Sequence, residues 1–340
     1  GEAGFAEAGG GVSSDAQDNV VAGDNAGNSL TSSGQQNTFF GDSAGANTTS
    51  GDENVGIGRH AGSGNTTGSG NIAMGNNCAS SFSGTFTGAN NIAIGAQSNY
   101  SGGYYNVHIG YQAGSANTSG AIENNTSVGR ETLKSMSGTC EQNVAFGYRA
   151  GKSITTGDFN VLVGASAGTA ITTAGYNTAT GRSSLGNCTT GTENTAFGNY
   201  ALGGVSTSDY NTAIGSGAGM NLTTGANNTL LGCYAGYGSV NLTTGANNTL
   251  IGYQAQSSAS NVSNEVTVGN TSVTKFRIPG ISLEASASAV TQGGVFYENN
   301  TTVSADYTVT NGRNAMAAGP ITIASGVTVT VGSGETLTIV

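Results

Sequence analysis

Asn194-Thr195-Ala196-Phe197-Gly198 returns seventeen residues on as Asn211-Thr212-Ala213-Ile214-Gly215, and after seventeen more as Asn228-Thr229-Leu230-Leu231-Gly232. The same phrase (Asn, a β-branched residue, a variable residue, an apolar residue, Gly) is written fifteen times between Asn19 and Gly269. Its starts are Asn19, Asn37, Asn54, Asn71, Asn91, Asn106, Asn125, Asn143, Asn160, Asn177, Asn194, Asn211, Asn228, Asn248 and Glu265, and only the last departs from Asn. Most steps are 17 residues, with departures between 15 and 20. A unit this short has no core of its own, so each copy must bury its apolar face on the copies before and after it.

Alternation within the phrase has a period of two, which predicts a short strand with one buried face. The second and fourth positions carry the larger apolar or β-branched residues (Val55 and Ile57, Val144 and Phe146, Thr212 and Ile214), so they are expected to face inward, and Ile214→Asp to break the stack. The phrase is followed by an Ala-Gly pair such as Ala150-Gly151, then by a Thr- and Gly-rich return such as Thr155-Thr156-Gly157. Consecutive strands that run the same way must pair in parallel. The sequence therefore predicts an all-β chain, a parallel β-solenoid or β-roll of about 15 coils with a ~17-residue repeat, rising roughly 4.8 Å per coil to about 70 Å. The expected organisation is a lead segment at 1–18, a solenoid shaft at 19–272 and a small C-terminal β module at 273–340, where Ile321-Thr322-Ile323, Val327 to Val331 and Leu337 to Val340 alternate strictly.

Two columns follow from the stacking. Asn37, Asn54, Asn71, Asn143, Asn160, Asn177, Asn194, Asn211, Asn228 and Asn248 are expected to form a structural amide ladder. Gly41, Gly58, Gly75, Gly147, Gly164, Gly181, Gly198, Gly215, Gly232 and Gly252 are expected at coil turns, where positive φ is needed. With about three small inward residues per coil the core of one chain is expected to be thin, which favours several chains sharing a core along one axis.

Composition fits a scaffold better than an enzyme. There are 58 Gly, no Trp, two His, 8% charged residues and a net charge of −10. No Pro precedes Pro279, as a continuous ladder of paired strands requires. No Ser/His/Asp set or close carboxylate pair can be assigned, the Gly-rich stretches lack the Lys of a phosphate loop, and the acidic residues are too scattered for repeated calcium cages. No catalytic residue, cofactor or metal site is expected. Nine basic residues in an acidic chain argue against nucleic-acid binding, and no window is apolar enough to insert in a membrane. Cys78, Cys140, Cys188 and Cys233 lie in different coils without metal-ligand spacing and are expected to have no joint role; His60 and His108 are expected at the surface or in turns. The Asn-x-Ser/Thr matches are expected by chance in a chain this rich in Asn and Thr.

The phrase at 194 to 198, continued by Asn199-Tyr200-Ala201, resembles the repeats in head domains of bacterial trimeric autotransporter adhesins. It is more similar to repeat-bearing tail-fibre and tailspike proteins of bacteriophages, especially those of marine cyanobacteria, since the adhesin heads typically use a shorter period. The resemblance covers Asn19 to Gly269, about three quarters of the chain, and Ala318-Gly319-Pro320-Ile321-Thr322-Ile323 resembles the ends of phage fibre proteins. It implies a homotrimeric, non-enzymatic tail fibre, located extracellularly on a virion tail, with other virion tail proteins and a host cell-surface glycan or protein as partners. No coiled-coil stalk and β-barrel anchor follow the array, which lowers the adhesin reading, and the start at Gly1 suggests part of a longer polypeptide. Two alternatives remain: an extracellular bacterial adhesin or filament subunit at the cell surface, and an ice-binding solenoid suggested by Thr-Thr-Gly at 66–68, 155–157, 189–191, 223–225 and 243–245, against which the uneven steps are expected to spoil the register. Tyr111, Tyr148, Tyr234 and Tyr253 are expected to cover turn backbone, with sugar stacking as the alternative. Recognition is expected at the ends or on the irregular steps around 75 to 91, 110 to 125 and 232 to 248.

Overall fold

The computed structural model describes residues 14–80, 87–99, 103–115, 122–274, 302–304, 306–309, 315–317 and 319–339. The lead 1–13 and the stretch around Pro279 lie outside them, as do 81–86 and 116–121 of the irregular coils. The chain divides into two compact units, Gly1–Thr274 and Lys275–Val340, and no helix occurs among the described residues.

The first unit is a parallel β-solenoid. Each phrase supplies one three-residue strand, from Val20–Ala22 to Val266–Val268, and fifteen of these form one parallel sheet in chain order. Pairing is in register throughout, as in Thr195↔Thr212, Ala196↔Ala213 and Phe197↔Ile214. The uneven steps do not disturb it: across the 20-residue step Thr229 still pairs with Thr249, and across the 15-residue step Ile92 with Val107. Strand register is thus kept across these steps. The extra residues leave at a corner, where Leu242 N–H closes on the Gly236 carbonyl at 3.0 Å and Gly238 N–H on Asn241 Oδ1 at 3.0 Å.

Alternation holds but its phase is the reverse of the expected one. The third position is the buried one: Ala145, Leu162, Ala179, Ala196, Ala213, Leu230 and Leu250 are all fully buried. The second and fourth positions point outward, with Phe197 57% and Ile214 42% exposed. The physical reason lies in the first position. Its Asn turns into the coil, and side chains two apart on a strand share a face, so position three follows the Asn inward. The chain therefore has its own core, formed by the third position, the Ala three residues after the phrase-ending Gly (Ala150, Ala167, Ala201, Ala218) and an aliphatic residue from the return, Ile154, Ile171, Val205 or Leu222. A thin core is thus no argument for sharing one among chains.

Packing is matched between coils. Phe39 fills its coil because the next coil carries Gly56 at the same position, where a Cβ would lie 2.8 Å from the Phe39 ring. At the phrase-ending column the backbone runs at φ near +130°, and a Cβ on Gly198 would meet the Gly215 carbonyl carbon at 2.6 Å, so each Gly is required by the one above it. Among the described residues the apolar core falls into two clusters, one from Ala61 to Ala93 and one from Ile122 to Ala255, and the buried polar residues Ser98, His108 and Ser127 fall between Ala93 and Leu133.

In the second unit Thr302–Val303 pairs in parallel with Thr322–Ile323, Tyr307–Thr308 with Val329–Thr330, and Ala315–Ala317 with Leu337–Ile339. The second strand of each pair falls within an alternating segment noted in the sequence, and the first strands at 302–303, 307–308 and 315–317 lie outside those segments.

Leu162→Ala is expected to lower the unfolding free energy by about 2–5 kcal/mol and Ala213→Asp to abolish the cooperative melt by burying a charge. Ile214→Asp should leave the circular-dichroism spectrum of the coil unchanged. A melt of Ile214→Asp as damaged as that of Ala213→Asp would contradict the phase described above.

Candidate functional site

The repeated Asn is the most fully used side chain of the coil. Asn37 Oδ1 accepts the backbone N–H and the Nδ2 of Asn54, both at 3.0 Å. Asn37 Nδ2 donates to Asn19 Oδ1 at 3.0 Å and to the Gly51 carbonyl of its own coil at 2.9 Å. Every Asn from Asn37 to Asn248 donates its backbone N–H to the Oδ1 of the Asn before it at 2.9–3.1 Å. One amide thus ties the coil to its neighbour and closes its own corner, as a stacked amide column requires. The ladder runs between two carboxylates. Asp15 accepts from Asn19 N–H at 2.8 Å and from Asn19 Nδ2 at 3.1 Å, which substitutes for a preceding Asn. At the other end Glu265 donates its N–H to Asn248 Oδ1 at 2.9 Å, and its carboxylate accepts from Ser258 and Thr267. The carboxylate lacks the side-chain N–H that an Asn in this column donates to the Oδ1 before it, and its oxygens are taken by Ser258 and Thr267.

In the coils beginning at Asn143, Asn160 and Asn177 the first Thr of the return forms a second column. Thr155, Thr172 and Thr189 donate their hydroxyls to the carbonyls of Thr172, Thr189 and Ser206 at 3.0 Å. The second Thr stays exposed at 156, 173, 190, 207, 224 and 244.

His108 is not a surface or turn residue. It occupies the third, inward position and is fully buried, with Nδ1 2.8 Å from Ser127 Oγ and Nε2 without a partner. Burial pushes its pKa from 6.5 down to about 4. His60 does lie in a turn, half-buried at φ +55°. All four cysteines are free: Cys78, Cys140 and Cys188 are buried and Cys233 half-buried. Burial raises the thiols of Cys78 and Cys140 to about 12 and that of Cys188 to about 11, so they stay protonated and unreactive. Among the described residues no group of three His, Cys, Asp or Glu could hold a metal.

Two surfaces remain. The outward sheet face carries the second- and fourth-position residues as two adjoining columns, apolar over most of their length: Ile57, Met74, Phe146, Val161, Val163, Phe197, Ile214 and Leu231 are each more than a third exposed. The corner after the strand carries charge and aromatic rings. Arg130 lies 5.7 Å from the ring centres of both Tyr111 and Tyr148, Arg149 lies 4.8 Å from Tyr148, and Arg182 lies 5.2 Å from Tyr200. Glu131, 5% exposed, is paired with Arg130 at 3.1 Å, Arg149 at 2.9 Å and Lys152 at 2.9 Å. Lys152 and Arg149 hold its carboxyl at about 2, well below the usual 4.5. Of the tyrosines named from sequence, Tyr111, Tyr148 and Tyr253 are exposed, and half-buried Tyr234 leans on Tyr237 with ring centres 5.4 Å apart.

Sequence reasoning passed over the Glu131 cluster, although four of the chain's nine basic residues fall between 130 and 152. No model of a known protein family matches this chain, and no curated protein matches it. No helix among the described residues is long and apolar enough to cross a membrane.

Asn177→Ala leaves the backbone N–H and one Nδ2–H of Asn194 without their acceptor, and should cost about 2–4 kcal/mol in a denaturant melt. His108 gives a pH signature. The unfolded chain takes up this proton below 6.5 and the folded chain only near 4. Stability present above pH 6.5 should therefore fall as pH drops toward 4, by on the order of 3 kcal/mol. The difference in melting between wild type and His108→Leu, followed over that window, should reproduce the slope, and parallel curves would exclude it.

Proposed function

We propose that this chain is a non-enzymatic fibre shaft that assembles as a homotrimer and carries attachment to a host cell surface, as the tail fibre of a virion does. The observation that carries the reading is the outward sheet face. Along fifteen in-register strands the fourth position is apolar everywhere but at Thr180, and the second position is apolar in eight strands and Thr in seven, which gives one apolar column about 67 Å long widened to two over much of the first half. Such a strip presents on the order of 500 Å² of apolar surface per chain, at the upper end of what soluble monomers commonly leave in water and a large part of the ~800 Å² per partner of a stable interface. Three copies sharing one axis would cover the three strips at once. The shape of the repeat supports stiffness: each coil is tied to the next by sheet and amide hydrogen bonds, and a rod of identical coils suits an extended spacer between a particle and a cell. Three chains in register also multiply any weak surface contact through effective concentration.

An extracellular adhesin or filament subunit uses the same coils, and location separates it: a virion fibre co-purifies with particles, an adhesin with the cell surface. Ice binding keeps one specific support, the exposed Thr column over 156 to 244, which recurs every 17 residues up to Thr224 and continues at Thr244 across one 20-residue step.

Sedimentation analysis should return three times the chain mass of 33.4 kDa, and Phe197→Asp with Ile214→Asp should return a folded single chain. A monomeric wild type at micromolar concentration would remove the shared axis from this reading. Thermal hysteresis should be absent; a measured gap between freezing and melting points would promote the ice-binding reading instead.

A further inference from the structure

We infer that the corner after the strand, over the coils beginning at Asn71, Asn91, Asn106, Asn125 and Asn143, is a binding groove for an acidic polysaccharide, one bearing carboxylate or sulfate groups. The inference rests on the surface-attachment reading and names the ligand class and the residues that would take it. A groove of about 380 Å³ runs across four of these coils, lined by Asn77, Gln97, Asn99, Gln112 and Lys134 among others. Its floor is a ladder of side chains: Gln112 Nε2 donates to Gln97 Oε1 at 2.7 Å, and Lys134 Nζ donates to Gln112 Oε1 at 2.7 Å. Planar amides held edge to edge by one another present donors and acceptors at fixed spacing, which matches the hydroxyls of a sugar chain.

The groove leads to the strongest positive charge of the solenoid. Three cations, Arg130, Arg149 and Lys152, are paired with a single carboxylate at this corner, Glu131, and Lys134 is bonded to the neutral Gln112, so the four cations exceed that carboxylate by three charges in a chain of net charge −10. Glu131 is nearly sealed, whereas the Arg130 side chain is 58% exposed and that of Arg149 38%. The carboxylate therefore anchors the cations from below, and their outer donors remain presented to solvent, where a guanidinium fork meets a planar carboxylate or a sulfate. Tyr111 and Tyr148, each about 40% exposed, flank Arg130 and hold its guanidinium in place by ring contacts. The same geometry disfavours a single-stranded nucleic acid: Arg130 already fills the space between the two rings at 5.7 Å from each, so no slot is left for a base.

The experiment is retention of the full chain on immobilised dextran sulfate, polygalacturonate, neutral dextran, polyglutamate and single-stranded DNA over a salt gradient. Wild type should be retained on both acidic polysaccharides and pass through neutral dextran and polyglutamate. Arg130→Gln combined with Lys134→Gln should weaken retention at least tenfold and Tyr148→Ala several-fold, with melting curves unchanged because Arg149 and Lys152 still satisfy Glu131. Absence of retention on both acidic polysaccharides, retention unaltered in the double variant, or equal retention on polyglutamate or single-stranded DNA each overturns the inference. Attachment to cells is scored separately with the same proteins. Cell binding that persists alongside any overturning outcome removes the groove and spares the fibre, and polysaccharide retention without cell binding removes the fibre and spares the groove.

Discussion

The structure depends on one side chain repeated along an axis: the inward Asn that opens each coil. Its amide has two donors and a carbonyl oxygen, and the solenoid uses all of them, on the previous coil, on the next coil and on the far end of its own coil. A 17-residue loop without helix or hairpin would otherwise leave buried backbone groups unpaired at its corner, at a cost of about 1–3 kcal/mol each. Once the Asn is inside, strand alternation puts the third residue inside and the second and fourth outside. The core and the exposed apolar face are both consequences of that single orientation.

The same constraint explains why the coil tolerates length changes only at certain places. The strand, the Asn and the Gly after it must meet their copies in the adjacent coil, so steps of 15, 19 or 20 residues are absorbed in the return, as at Gly236 to Leu242. The return can widen because its aliphatic anchor, Leu222 in one coil and Leu242 in the next, stays in place. The corner just after the strand is then free to vary in chemistry, and it is there that the amides, the tyrosines and the Arg130, Arg149 and Lys152 cluster gather.

Polar groups inside the stack show how narrow the tolerance is. His108 lies where its neighbours carry Ala or Ser, and it is accommodated by Gly114, whose Cβ would meet the ring at 2.5 Å, and by Ser127. The cost is a ring nitrogen without a partner and a pKa held down by burial, which makes this layer of the stack acid-sensitive. Glu131 is the opposite case: nearly as buried, it is satisfied by three cations and stays ionised far below the usual range.

The sequence by itself determined the repeat, the parallel strand in each phrase, the Asn and Gly columns and the absence of a legible catalytic set, because each of these is a periodicity or a residue type that survives projection onto a line. It did not determine which side of the strand faces in. Residue size pointed to Val144 and Phe146, and the structure puts Ala145 inside, because hydrophobicity shows that two faces differ and only the closed coil shows which one encloses the Asn. Nor could it show that Phe39 is matched to Gly56, that Asp15 stands in for a missing Asn, or that Tyr111, Arg130 and Tyr148 form one surface. Those relations join residues about 4 to 19 positions apart, most of them in adjacent coils, and the distance between them is set by stacking at one strand spacing and not by the chain.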